Sequence, residues 1–386
     1  VAGCAPKDGQ PPSSDKTGPV TVFTGGTIYT GNADQPVIDA VAVGSDGRIV
    51  AMVPPTSADW GDEDVTIVNL DGSAMFPGFT DSHAHLLGIG QRELTLNLEG
   101  TASIDELVTR TEIEVWEKEP GEILFGRGWI ETGWPEGRMP SAADLDQVSP
   151  DNPVIYVRAD GHALVANTAA LKAADVYDLN EDPTGGRVER GDDGKATGIV
   201  IDYAMAPVLE LLSAPSEDDI SLALETGAQT YVSRGWTGVH NMSVGRIEAP
   251  IMAGLAKEGR LPLRIYNAFD ESAFDVAKSR RHETGTITNR AVKLYMDGAL
   301  GSRGALLIEP YSDRPDTSGL ELLDTNALHN LMMDAAEDDV QLAIHAIGDL
   351  ANRHILETFS ALGYGPEKRW RIEHAQILAP DDVAQV

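Results

Sequence analysis

Residues 19–77 alternate apolar and polar positions with the period of a β-strand. Ala40-Val41-Ala42-Val43-Gly44 and Arg48-Ile49-Val50-Ala51-Met52-Val53 flank Ser45-Asp46-Gly47, which predicts a β-hairpin. This stretch reads as a small β-sandwich unit. From residue 78 the pattern changes to short apolar runs, each ending in an ionisable residue and followed by glycine or small polar residues. Four runs are clear: Phe76–Leu86, Val292–Gly298, Gln341–Asp349 and Trp370–Gln376. Helical periodicity over 217–233 places Ile220, Leu222, Leu224, Ala228 and Tyr231 on a predicted core face. Residues from about 95 to 230 exceed two ordinary βα units. Their glycine turns at Gly185-Gly186 and Gly191-Asp192-Asp193-Gly194 predict an inserted α/β subdomain placed to cap a pocket. No solenoid repeat and no apolar span of membrane length occurs.

The run ends carry the chemistry. His83 and His85 stand two apart at the end of a strand-like run, so both imidazoles project from one face and can grip one ion. Imidazole suits zinc, iron or manganese, although such a pair also occurs as hydrogen-bonded structural residues. His345 lies 29 residues before His374, the length of a strand, a return helix and turns. Lys293 precedes His345 by 52 residues, one such unit lengthened by an irregular loop over 298–320. This spacing fits a (β/α) barrel of eight units and about 250 residues, whose reactive groups sit at strand C-termini. Lysine is ordinarily an ion-paired or snorkelling residue. Here its neighbours Val292, Leu294 and Met296 imply burial, and a buried unpaired ammonium is costly enough to favour a ligand role for Lys293.

Taken together, these motifs resemble the amidohydrolase superfamily, in particular the branch that includes N-substituted formamide deformylases. The matching pieces are Pro77-Gly78-Phe79-Thr80-Asp81-Ser82-His83-Ala84-His85, the segment from Val292 to Gly304 around Lys293, Ala343-Ile344-His345-Ala346-Ile347-Gly348-Asp349 and Arg371-Ile372-Glu373-His374-Ala375-Gln376. Gly126-Arg127-Gly128-Trp129, Trp134-Pro135 and Arg158-Ala159-Asp160-Gly161-His162 add branch-like features. The resemblance implies a TIM-like (β/α)8 barrel over 78–386 in which His83 and His85 bind one metal and His345 and His374 hold a second. It also implies that Lys293 is N6-carboxylated, a bridging carbamate in place of an ammonium that cannot ligate a cation. Divalent zinc, as one ion or two, is the implied cofactor. The family places a proton-carrying aspartate on the eighth strand. Two further units would need about 60 residues beyond Val386, and Asp349, Asp381 and Asp382 lack the matching context, so the barrel is expected to be C-terminally incomplete and the chain a fragment.

Other candidates follow from position. His162, after the strand-like Pro153–Val157, is a candidate catalytic hydrogen-bonding group at the pocket rim or a turn histidine satisfied by backbone. His240 closes another apolar run, and a structural role is the simpler reading. Asp81 and Asp297 are expected to orient ligands rather than to bind metal. His282, His329 and His354 sit in polar, helix-like surroundings and are expected at the surface.

Composition removes whole classes of function. With 29 basic and 61 acidic side chains in 386 residues, the formal charge is −32, which argues against nucleic acid and anionic membrane surfaces as partners. A single cysteine excludes an internal disulfide. That residue, Cys4 in Val1-Ala2-Gly3-Cys4, resembles a lipobox. Residues 1–18 then read as a lipidated tether, the only membrane association expected, and place the protein in the cell envelope. The resulting expectation is a metal-dependent hydrolase of non-peptide amides such as formamides, N-acyl amino acids or small cyclic amides. Ester or organophosphate hydrolysis on the same site, and a non-catalytic metal- or solute-binding lipoprotein, are the alternatives. Subunit number is left open.

Overall fold

A computed structural model describes residues 19–53 and 65–386. Contacts divide the chain into two units, Val1–Phe79 and Thr80–Val386. The tether and Cys4 lie outside the described residues. Among the described residues no helix is long and apolar enough to cross a membrane.

In the first unit β1 (Val20–Tyr29), β2 (Val37–Val43), β3 (Ile49–Val53) and β4 (Val65–Asn69) form one mixed sheet in the order β3-β2-β1-β4, and β5 (Ala74–Met75) also pairs with β1. The predicted hairpin is β2–β3. Its turn closes through Gly47 N–H to Gly44 C=O at 2.9 Å, with Gly47 at φ +77°. The expected sandwich is a single sheet among the described residues. Its apolar side chains gather in two clusters, one around Val22, Ala40 and Ala42 and another around Ile28, Ile38 and Val41.

The second unit contains two sheets. Six parallel strands, β6 (Thr80–Ala84), β13 (Gly238–Val244), β14 (Arg264–Phe269), β15 (Ile287–Tyr295), β16 (Gln341–Ala346) and β17 (Arg371–His374), form a nearly closed barrel sheet in the order β17-β16-β15-β14-β13-β6. Between β6 and β13 a mixed sheet is inserted, built from β7 (Leu96–Asn97), β8 (Leu124–Trp129), β9 (Val154–Arg158), β10 (Ala163–Ala166), β11 (Gly186–Arg190) and β12 (Ala196–Asp202).

Strand periodicity explains the barrel. Val292, Leu294 and Met296 join the main cluster with the return helices, so Ala291, Lys293 and Tyr295 point the other way, into the barrel. The apolar neighbours of Lys293 therefore do not bury it directly. Its burial comes from the interior, where Met242, Ala268, Ala291 and Ala343 leave room for a long side chain. Asn241, Asn267 and Asn289, all buried, hydrogen-bond from strand to strand across β13, β14 and β15, and Asn241 accepts from Leu86 N–H at 2.9 Å.

The helix Glu217–Ser233 starts with a capping box, Ser216 with Asp219, and buries Ile220, Leu224, Ala228 and Tyr231 as expected. Leu222 is 53% exposed, because two residues past Ile220 lie about 200° round a helix. This helix meets the helix Leu86–Leu94 at two glycines. A Cβ on Gly90 would come 1.7 Å from the Ala223 carbonyl oxygen, and one on Gly227 2.5 Å from that of Leu86. Gly90→Ala normally gains helix propensity, but here it wedges two backbones apart. We expect it to destabilise the protein by roughly 1–3 kcal/mol in urea denaturation followed by circular dichroism.

Candidate metal centre

The C-terminal strand ends of the barrel bring five imidazoles into a chain. Ring centroids are 5.6 Å apart for His85 and His83, 4.7 Å for His83 and His374, 4.6 Å for His374 and His345, and 4.9 Å for His345 and His162. Residues as far as 291 positions apart in the sequence thus meet. The four predicted histidine ligands and His162 are brought together; Lys293 reaches the same place from one layer deeper, since Tyr295 rather than Lys293 is in register with His345.

Most of these rings have one nitrogen committed to an oxygen. His83 Nδ1 meets Glu373 Oε2 at 2.5 Å, His85 Nδ1 the Met242 carbonyl at 3.1 Å, and His345 Nε2 the Gly298 carbonyl at 3.2 Å. An imidazole held this way presents its other nitrogen as a bare lone pair, the arrangement that orients metal-ligating histidines. Protonation is suppressed as well. Desolvation by the surrounding protein holds His85 at about 3, with Lys293 and His83 adding repulsion. His374 is likewise held at about 3, by its surroundings first and then by His345, His83 and Lys293. Burial pushes His345 far below the ordinary range too. Neutral imidazoles are the form that binds a cation.

Lys293 is 2% exposed, and its Nζ has no hydrogen-bond partner. It lies 4.2 Å from the centroid of the Tyr295 ring. Burial lowers its pKa to about 7, against the pull of Glu373 and with the push of Arg371. Much of the side chain is therefore a free amine at neutral pH. Among the described residues no three His, Cys, Asp or Glu side chains already close on a single point. Ligation thus also calls for an anionic donor, which Lys293 as an amine does not supply. The donor chemistry and the orphaned amine nevertheless fit a divalent ion.

Several groups here were not foreseen. Glu373 takes the place beside His83 that was expected of Asp81. Burial pushes its carboxyl up, but the His83 hydrogen bond and the Arg371 guanidinium outweigh that and hold it well below the usual range. Arg371 also donates to the Ser82 carbonyl at 3.0 Å and meets His240 Nδ1 at 2.6 Å, so His240 belongs to this support and has no ring contact with the five imidazoles among the described residues. These contacts join β6 to β17 across the one seam of the sheet that lacks a backbone ladder, beside a cavity of about 480 Å³ lined by Ser82, His83, Arg371, Ile372, Glu373 and His374.

Asp81 instead accepts from the His83 backbone N–H at 3.0 Å and from the Tyr231 hydroxyl at 2.9 Å, so it orients the strand end rather than a ring. Asp297, fully buried, accepts from the N–H groups of Leu306, Ile347 and Gly348 at 2.8–3.0 Å and stands 3.4 Å from His345. Burial raises it to about 6. It fastens the 298–320 loop to the end of β16. His329 and His354, expected at the surface, are half-buried; His282 is exposed.

His162 is the contribution of the inserted sheet. Its Nδ1 lies 2.6 Å from Asp202 Oδ1, a cross-strand pair one step beyond Ala163 and Ile201 in the antiparallel β10–β12 ladder. Asp202 has φ +48°, and its Oδ2 is buried without a partner. Ser243, His374 and Ala375 also have positive φ, at +58°, +72° and +42°. Such strain at non-glycine residues gathers where function over-determines the backbone.

The family model described as the amidohydrolase family matches residues 66–386. The protein LONG AFTER FAR-RED 3 of Arabidopsis thaliana is 34% identical over 93% of this chain, and the chain spans 64% of that relative's length. An N-substituted formamide deformylase of Arthrobacter pascens is 26% identical over 91% of this chain and 68% of its own. The crystal structure of an uncharacterized metal-dependent hydrolase from Pyrococcus horikoshii superposes with a TM-score of 0.69 at 27% identity, covering 95% of this chain and 72% of that one.

The unpaired amine generates a test. A buried base of lowered pKa costs the fold in full below about pH 7, and the cost fades as pH rises towards the ordinary lysine range. In chelated, bicarbonate-free protein, Lys293→Met should therefore stabilise at pH 6. The gain should shrink above pH 7 by up to about 1.4 kcal/mol per pH unit, measured as the difference between the two proteins' denaturation midpoints.

Proposed function

Because this chain belongs to the amidohydrolase family, we propose that it is a metal-dependent hydrolase of non-peptide carbon–nitrogen bonds. The observation that carries the reading is Lys293: a sealed amine with no hydrogen-bond acceptor, surrounded by imidazoles whose remaining nitrogens are free to ligate. A neutral amine combines with carbon dioxide to give a carbamate and a proton, turning a misplaced cation into a bidentate anion. His83, His85, His345, His374 and carboxylated Lys293 would then hold one or two divalent ions, of which zinc suits the donors best. Such an ion supplies Lewis acidity and a bound water whose pKa approaches neutrality.

The chain's own residues do the rest. Glu373 and the Met242 and Gly298 carbonyls fix the imidazole orientations. Asp297 holds the loop over the site. His162, locked by Asp202 through Nδ1, presents Nε2 to the substrate beside His345 and Tyr295. The formamide deformylase among the relatives supports an amide as the bond cleaved. A lipid anchor on Cys4 is a further part of the proposal, supported by the Val1-Ala2-Gly3-Cys4 pattern and the Pro- and Ser-containing residues after it.

Metal analysis and an amide and ester panel test the reading. We expect at least one divalent ion per chain, and His83→Ala and His345→Ala to lose metal and turnover together while far-ultraviolet dichroism is retained. Full turnover by a metal-free protein would overturn it. His162→Gln should keep the metal and lower kcat by roughly 10²-fold or more, a split that a purely structural histidine would not give.

A further inference from the structure

Arg127, in β8, is the second residue of Gly126-Arg127-Gly128-Trp129. Among the described residues no carboxylate pairs with it. Its side chain reaches only the Gln91 amide oxygen, at 3.5 Å. This is unusual in a chain whose acidic residues outnumber its basic ones 61 to 29. Nearby arginines follow the expected rule: Arg92 pairs with Glu93 and Glu99, Arg110 with Glu106, and Arg158 with Glu131 and Asp160. Burial disfavours the charge on Arg127, and the Arg92 cation disfavours it further.

The position of this guanidinium is as informative as its lack of a partner. It lies against Gly88 on the helix that follows the metal-binding strand end. A Cβ on Gly88 would sit 3.4 Å from Arg127 Nη2 and 3.7 Å from His85 Cβ. The flanking glycines hold β8 close to its neighbours. A Cβ on Gly126 would meet the Leu96 carbonyl oxygen at 2.9 Å, and one on Gly128, at φ +109°, the Glu99 backbone nitrogen at 3.0 Å. The inserted sheet thus delivers an unneutralised planar cation beside the candidate centre. A guanidinium is the side chain best suited to grip a carboxylate with two parallel hydrogen bonds.

We propose that Arg127 anchors a carboxylate of the substrate, so that the amides this site prefers are anionic, of the N-acyl amino acid class. The inference rests on the hydrolase reading above and narrows it. The acyl amide addresses the imidazole cluster while the carboxylate lies towards β8, which fixes the direction in which the substrate enters.

The test compares N-acetyl and N-formyl amino acids with their primary carboxamides on metal-loaded protein. We expect the wild type to favour the acids by roughly 10- to 100-fold in kcat/KM. Arg127→Met should abolish that preference through KM for the acid. Its Tm should stay at or above the wild-type value, because a half-buried cation without a carboxylate partner gives way to an apolar side chain. Arg127→Lys, a charge without the fork, should restore part of the preference. Equal use of acid and carboxamide by the wild type would overturn the proposal, as would an Arg127→Met variant that loses Tm and both substrates together. If metal-loaded wild type hydrolyses no amide, the hydrolase reading fails separately, and calorimetric titration with N-acetylglycine decides the anchor. Binding to the wild type that Arg127→Met loses supports it; no binding to either protein refutes it.

Discussion

A primary amine enclosed in protein without a hydrogen-bond acceptor is the constraint around which this molecule is organised. An ammonium in that position would ordinarily be selected against or paired, since desolvating a charge costs several kcal/mol. Lys293 is neither exposed nor hydrogen-bonded. The small side chains of Ala268, Ala291 and Ala343, beside Met242, make its space, and burial above all keeps the imidazoles around it neutral. The cluster makes little sense as a salt-bridge network, because its members repel one another in their charged forms. The cation and carbamate proposed above would relieve that repulsion.

The seam between β6 and β17 shows how that cluster is supported. No backbone ladder joins these two strands, and side chains take over the task. Arg371 reaches the Ser82 carbonyl and Glu373, and Glu373 reaches His83. The carboxylate that orients one imidazole is therefore also the one that holds the two edge strands together. Orientation of the centre and closure of the sheet share one set of contacts.

How much of this the chain discloses without coordinates follows from the kind of signal each feature leaves. That His83, His85, Lys293, His345 and His374 gather was legible because they end or lie within apolar runs at a spacing that βα units impose. The hairpin before Arg48 and the helix from Glu217 were legible because turn residues, a capping box and periodicity are local. Glu373 was not. Strand alternation sends neighbours to opposite faces, and only the left-handed backbone at His374 lets both residues address the site. Asp202 was invisible as well, since it pairs with His162 through an antiparallel register 40 positions away. Arg127 stood in a motif that could be quoted but not interpreted, because the absence of a partner is a property of three dimensions.

The His83–Glu373 contact spans 290 residues. Bringing such distant segments together exacts a loop-closure entropy that nothing local repays, so contacts of this kind form late in folding and slow it. During synthesis the first imidazole pair emerges long before the groups that orient it. An ion captured early would find only His83 and His85, since His345 and His374 follow 260 and 289 residues after His85. Under the metal-centre proposal, a full set of imidazole donors would exist only once β6, β16 and β17 had come together.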